Sequence, residues 1–150
     1  MNPKNRKADM RLRFLIVEDD LLNCKVYKLI LKDEMLDLDF AYDGEQGINL
    51  FTGNNYDLVL LDMNLPLLTG LEVAKYIRDL ELKESKPKVP IIAVSADTSA
   101  GMKQKAYDCG VNEYLNKPVG RYDLIKRVKL YINDPRLFPV KTNHQFRSEN

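Results

Sequence analysis

Four kinds of polar side chain fall where runs of apolar residues stop. Leu12–Val17 is followed by Glu18, Asp19 and Asp20, and the run 58–61 by Asp62. The run 91–94 is followed by Ser95, and the run 111–115 ends two residues before Lys117. Four consecutive apolar residues at 58–61 read as a strand buried on both faces, as in the interior of a parallel sheet. An acid closing such a strand has two readings. It caps the next helix, or it stands at the carboxyl edge of the sheet, where open α/β folds bind ligands. Three carboxylates gathered there would repel one another and push one pKa upward. One lysine does not balance them, whereas a divalent cation does. The donors are hard oxygens with no His or Cys in reach, which suits Mg²⁺ or Mn²⁺ rather than Zn²⁺. Mg²⁺ uses one or two protein carboxylates and keeps several waters, so an Asp62 oxygen stays free to act as a nucleophile, as in aspartyl-phosphate chemistry. Lys117 and the Ser95 hydroxyl would stabilise the other oxygens of an incoming phosphoryl group.

These groups need a frame. Strands are expected at 12–17, 38–41, around Leu60, at 91–94 and at 111–115. Helices are expected at 21–32, 45–51, after Gly70, at 100–108 and at 121–132. In the first helix Leu22, Val26, Leu29 and Ile30 share a stripe at helical spacing expected to face the core, leaving Leu21 outside. The third helix carries Leu71, Ala74 and Ile77 at the same spacing, and the fifth Leu124, Ile125, Val128 and Tyr131. The fourth is weakly amphipathic and is closed by Gly110. Five strand–helix pairs in alternation predict an α/β fold with a parallel sheet covered on both sides. In a doubly wound sheet of order 2-1-3-4-5 the switch point lies between the first and third strands. That order brings Glu18, Asp19 and Asp62 together and places Ser95 and Lys117 beside them. The second strand, which ends in no reactive group, becomes the outer edge.

The rest of the composition excludes more than it specifies. The 150 residues carry a net charge of +1, so nothing argues for non-specific binding to nucleic acid or membrane. No apolar run reaches the length of a membrane span, and the first thirteen residues lack a signal-peptide core, which together predict a cytoplasmic protein. Cys24 and Cys109 read as small reduced core residues rather than a disulfide. His144 reads as a solvated side chain in a polar tail. Residues 1–10 are expected to be a disordered leader, 11–134 the domain, and 135–150 a polar tail or linker remnant with scattered Leu137, Phe138, Val140 and Phe146. No output domain is expected after Asp134, so the chain is either a stand-alone unit or a piece of a longer one.

With the strand ends in place, the chain resembles the receiver domain of two-component response regulators. The resemblance rests on Leu-Ile-Val-Glu18-Asp19-Asp20, Asp62-x-x-x-Pro66-x-x-x-Gly70, Ile-Ile-Ala-Val-Ser95-Ala96 and Tyr114-x-x-Lys117-Pro118, and it covers about residues 12–132. It implies a flavodoxin-like (βα)5 fold in which Asp62 accepts a phosphoryl group from a phosphohistidine on a sensor histidine kinase or a histidine phosphotransfer protein. Glu18, Asp19, Asp62 and the backbone carbonyl of Asn64 would hold Mg²⁺. Ser95 and Tyr114 would be the switch pair, and the Lys117–Pro118 bond would be cis. Asn64 and Asp97 would tune the lifetime of the phosphoryl group. The output face would be the fourth helix, fifth strand and fifth helix. Glu18 stands where Asp is frequent and Ser95 where Thr is frequent; both keep the functional group. The Asp19-x-x-x-Asn23 pattern and the Cys109-Gly110 pair look most like receivers of hybrid kinases and phosphorelays. In that reading the domain is a signalling module that catalyses only its own phosphorylation and dephosphorylation.

Two rivals stand beside it. An aspartyl-nucleophile phosphatase would need a second acid two residues after the first, and that position is Asn64. A receiver-like interaction module that never takes phosphate has no use for intact acids, hydroxyl and lysine. Taken singly, Ser95 also reads as a helix cap, Tyr114 as a half-buried aromatic and Lys117 as a surface lysine. No Gly-rich nucleotide loop is present in the sequence.

Overall fold

The computed structural model describes residues 10–139. Its elements in chain order are β1 (Leu12–Val17), α1 (Leu21–Ile30), β2 (Leu36–Ala41), α2 (Gly44–Gly53), β3 (Leu58–Asp62), α3 (Gly70–Lys83), β4 (Ile91–Ser95), α4 (Ala100–Asp108), β5 (Glu113–Asn116) and α5 (Arg121–Tyr131). The five strands are parallel in the order β2-β1-β3-β4-β5. This is the flavodoxin-like doubly wound arrangement that the alternating pattern predicts. All five residues of β3 and of β4 are buried, as expected of inner strands covered on both faces.

Alternation of side chains along the strands builds two cores, one on each face of the sheet. Leu15, Val17, Val59, Leu61, Ile91 and Ala93 face one side and pack on α2, α3 and α4. Phe14, Ile16, Leu58, Leu60, Ile92 and Val94 face the other and pack on α1 and α5. Helix starts therefore collect at the carboxyl edge of the sheet. Four of the five are capped by a side chain: Asp20, Asp43, Thr69 and Ser99 each accept a backbone N–H of the first turn. Thr69 and Glu72 form a reciprocal capping box that fixes where α3 begins.

Of the four residues expected to bury α1, Ile30 is buried and the other three are not. Leu22 is 69 % exposed, Val26 40 % and Leu29 72 %, while Cys24, Tyr27, Ile30 and Leu31 lie inside. Both sets have helical spacing, so periodicity alone does not choose between them. The choice is made at the helix start, where Asp20 accepts the Asn23 N–H and Asn23 turns its amide onto Glu18. That rotation aims Cys24 and Tyr27 at the sheet. Leu21 is exposed as well, although the expectation that placed it outside had Leu22 buried.

Two smaller differences concern the ends. β5 begins at Glu113 rather than 111, because Val111 N–H still bonds the α4 carbonyl of Ala106 and the Asn112 side chain accepts from Ile91 N–H and Arg78. Gly110, at φ +94, makes the turn between them. Beyond α5 the chain folds back: Leu137 is 2 % exposed inside the α1/α5 core. Phe138 N–H donates to Asp33 at 2.9 Å, and the Phe138 carbonyl accepts from Lys129 Nζ at 2.9 Å. The described chain thus stays packed on the core past Asp134. The expectations for residues 1–9, for 140–150 and for His144 lie outside the described residues. Both cysteines are free.

Candidate functional site

The carboxyl tips of β1 and β3 are adjacent, because Val17 pairs with Leu61 in the sheet register. Each residue one step further on is an acid. The result is a cluster in which carboxylate oxygens of Glu18, Asp19 and Asp62 all lie within 4.8 Å of one another. Glu18 is 1 % and Asp62 3 % exposed, whereas Asp19 is open to solvent. Lys117, on the loop after β5, reaches across the sheet edge. Its Nζ stands 3.0 Å from Asp62 Oδ2 and 3.4 Å from both oxygens of Glu18. The Lys117–Pro118 peptide bond is cis.

Each member is held by its own backbone context. The Asn64 N–H donates to Asp62 Oδ1 at 2.9 Å, so the two Asp62 oxygens have separate partners. Gly70 closes the following loop tightly: a Cβ there would clash with the Asp62 carbonyl oxygen and come within 2.7 Å of Met63 Cα. A side chain at 70 would therefore push the loop that carries Asn64. Ser95, fully buried at the tip of β4, accepts the Asp97 N–H at 3.0 Å. Tyr114 is buried on β5 and donates its hydroxyl to the Asp97 carbonyl at 2.6 Å. The Asp97 carboxylate turns outward onto the Ser99 N–H, which lowers its pKa.

The structure thus brings Glu18, Asp19, Asp62 and Lys117 into one cluster. Ser95, Asp97 and Tyr114 form a second hydrogen-bonded group on the neighbouring strands. Asn64 touches the first group through its N–H. One contributor was not among the expected site residues: Asn23, whose Nδ2 donates to Glu18 Oε1 at 2.6 Å. Its signal is its place three residues after the capping Asp20, on the first turn of a helix that starts beside the acids.

The cluster is short of positive charge. Burial, then the neighbouring Asp62, push the Glu18 carboxyl up to about 7, against the opposing pull of Asn23 and Lys117. Burial works against the charge on Lys117, but Asp62 and Glu18 outweigh it and raise the pKa of the ammonium. Three hard-oxygen acids with one cation among them fit a divalent metal ion of the Mg²⁺ type, which would neutralise what Lys117 leaves over. Among the described residues this is the one group of three or more metal-ligating acids, histidines or cysteines close enough to share an ion. No helix among the described residues is long and apolar enough to cross a membrane.

Comparison with known proteins points the same way. Residues 14–129 match the profile of the response regulator receiver domain. The chain is 35% identical over 130 residues to hybrid signal transduction histidine kinase B of Dictyostelium discoideum, covering 81% of this chain and 7% of that protein. It is 34% identical over 119 residues to the transcriptional regulatory protein DltR of Streptococcus agalactiae, covering 79% of this chain and 51% of that protein. The chain therefore spans about half, or far less, of the length of these curated relatives. Among solved structures, the Saccharomyces cerevisiae complex of the histidine phosphotransfer protein Ypd1 with the receiver domain of Ssk1 is similar at a TM-score of 0.78 and 30% identity, covering 86% of this chain and 94% of that one. The receiver domain of a Pseudomonas aeruginosa sensor histidine kinase, described with a magnesium ion in its active-site cleft, is similar at 0.73 and 30%, covering 83% and 99%.

Proposed function

The chain belongs to the response regulator receiver family of two-component and phosphorelay signalling, and on that premise we propose that Asp62 is its phosphoacceptor. The observation that carries this is the Lys117 ammonium standing between two almost wholly buried carboxylates at the tip of the central strand. A donor's phosphohistidine loses its P–N bond as one Asp62 oxygen bonds phosphorus, and the imidazole leaves with the electron pair and takes up a proton. Lys117 stabilises the charge on the transferred group, which it reaches from its place beside Asp62 Oδ2. Asn64 N–H holds the other Asp62 oxygen and so orients the carboxylate.

Glu18, Asp19, Asp62 and the Asn64 backbone carbonyl would hold Mg²⁺, with Mn²⁺ a substitute. When bound, the ion neutralises the phosphoryl oxygens during transfer. Ser95 exchanges its present partner, the Asp97 N–H, for the phosphoryl group. Because Tyr114 is tied to the same Asp97 backbone, the β4–α4 loop and β5 move with it. The phosphoryl group then biases an equilibrium between two arrangements of the α4–β5–α5 face, and a bias of ~3 kcal/mol shifts the populations by more than a hundredfold. Asn64 and Asp97 border the acceptor and set how fast water removes the group. The only reaction this domain catalyses is then its own phosphorylation and dephosphorylation. The donor is a histidine kinase or a histidine phosphotransfer protein, and the setting is the cytoplasm.

Intact mass after incubation with Mg²⁺ and acetyl phosphate tests this reading. The wild type is expected to gain one phosphoryl group and Asp62→Asn none. Continuous phosphate release from many esters would support a phosphatase instead, and no adduct under any condition would support the inert module.

A further inference from the structure

α1 and α5 both start at the acid cluster, two residues after Asp19 and four residues after Lys117. They are 10 and 11 residues long, so each runs roughly 15 Å away from the cluster. At their far ends residues 132–139 form a strap that ties the two helices together. Leu137 is its anchor, inside the core that α1 and α5 share. Phe138 is held from both sides. Its N–H donates to Asp33 Oδ2, in the connection after α1, and its carbonyl accepts from Lys129 Nζ of α5. Asp33 Oδ1 accepts the Met35 N–H, so the same carboxylate also fixes the turn into β2. Between these points the strap is loosely seated: a depression of about 240 Å³ lies among Lys129, Ile132, Asn133, Leu137 and Phe138. Phe138 has φ +47, a conformation that aromatic residues rarely adopt and that persists only where the surrounding contacts impose it. The strap lies beyond residues 14–129, the part that matches the receiver profile.

Resting on the reading that Asp62 accepts a phosphoryl group, we propose that residues 132–139 are a latch, closed while Lys117 bridges Glu18 and Asp62 and released when Lys117 is drawn from Glu18. Lys117 Nζ stands 3.4 Å from both Glu18 oxygens and so ties the near end of α5 to the near end of α1. A divalent cation on Glu18 and Asp19 would take over the charge that Lys117 balances and would repel the ammonium. A phosphoryl group on Asp62 would then hold Lys117 in place of Glu18. The near ends of the two helices lose their tie, and rigid helices carry the displacement to the far ends. There Phe138 is kept in its unfavourable conformation by one hydrogen bond to each side. The coupling is reciprocal: an open latch favours a loaded cluster as much as a loaded cluster favours an open latch. The chain after Pro139 thereby responds to Asp62 along a route that does not pass through Ser95 and Tyr114.

The test follows hydrogen exchange of the Phe138 N–H by NMR in the full chain. The loading probe is Mg²⁺ with beryllium trifluoride, a tetrahedral stand-in for the phosphoryl group. Two variants open the latch: Leu137→Ala removes the anchor, and Lys129→Met removes the tie from α5 while keeping an apolar stem. Loading is expected to speed Phe138 exchange about tenfold in the wild type. Exchange of the Val89 N–H, which Glu81 holds on the other side of the sheet, should not speed up. General stabilisation by the probe slows both amides, so a faster Phe138 alone marks the latch. In Leu137→Ala the rate should change less than about twofold on loading, and the probe should half-saturate at a concentration lower by about tenfold. Lys129→Met should shift both readings the same way by about threefold, and it decides the matter if Leu137→Ala does not fold. Phe138 exchange that is unchanged or slower on loading overturns the proposal. So do variants that take up the probe at the wild-type concentration. Failure of acetyl phosphate to label Asp62 in the same wild-type sample would instead overturn the reading on which the proposal rests.

Discussion

Glu18 and Glu81 are both almost fully buried glutamates, at 1 % and 3 % exposure, yet they sit in opposite electrostatic situations. Glu81, on α3, is answered in full. Arg78 Nη1 donates to Oε1 at 2.7 Å, Val89 N–H donates to Oε2 at 2.6 Å, and Arg78 also ties itself to the Gly110 carbonyl and Asn112. This is one acid with one cation, used to hold α3 against the β4 and α4–β5 connections. Glu18 shares its single cation with Asp62, with Asp19 in the same acid cluster, and its carboxyl is pushed up to about 7 by burial and by Asp62. Burial of a charge is tolerated when it is paired. Where pairing is incomplete, as at Glu18, the deficit fits the metal site proposed above. The contrast separates a buried acid that belongs to the fold from one that belongs to the chemistry.

The strongest way to break that contrast is to remove the answering cation from the structural pair. Arg78→Met leaves Glu81 buried and unpaired, which costs about 3–5 kcal/mol. Thermal unfolding is expected to fall by roughly 10 °C for a chain of this size. A loss under a degree would mean that the Arg78–Glu81 pair does not hold the fold.

A second test reads Glu18 through pH in metal-free buffer. Unfolded, the carboxyl gives up its proton near its ordinary value of 4.5; folded, it keeps it to about 7. Between those values the folded state binds more protons, so stability is greatest below about 4.5 and falls as pH rises through 7. The fall is of the order of 3 kcal/mol. Denaturant titrations from pH 4 to 8 should show it in the wild type and not in Glu18→Gln, and Mg²⁺ should remove most of it. A flat wild-type profile contradicts the charge deficit.

Asn23 sharpens the same point on a smaller scale. Asn23→Ala deletes a hydrogen bond to the charged form of Glu18, worth about 1–2 kcal/mol. The pH at which the Glu18-linked loss of stability levels off should then move above 7, and the concentration of Mg²⁺ needed for half-maximal protection should rise. An unchanged profile would remove Asn23 from the site. The smallest effect is expected on the outer face of α1: Leu29→Ser should change stability by less than about 0.5 kcal/mol. A larger loss would return that stripe to the core.

The strand order and the acid cluster were legible because both are written locally. A fully apolar run stopped by an acid encodes an inner strand and its tip, and parallel pairing then places Glu18 beside Asp62 without further information. The rotation of α1 was not legible, because Leu22-Val26-Leu29 and Cys24-Tyr27-Leu31 are equally periodic. What decides between them is the reach of Asn23 to Glu18, a contact that exists only once β1 and α1 are placed. Leu137 was hidden for the same reason. In sequence it is one apolar residue in a polar tail, and its pocket is assembled from α1 and α5. The second hydrogen-bonded group was half legible: Ser95 and Tyr114 stood out by position, but the Asp97 backbone that joins them did not.

The account turns on Asp62 being the reacting carboxylate of a cluster that needs a divalent ion. The most direct measurement is tandem mass mapping of the adduct formed from acetyl phosphate, with Mg²⁺ present or replaced by EDTA. The prediction is one phosphoryl group, on Asp62, formed with Mg²⁺ and absent with EDTA. An adduct on Asp19 or any other side chain, or one that forms equally well without the metal, would contradict it.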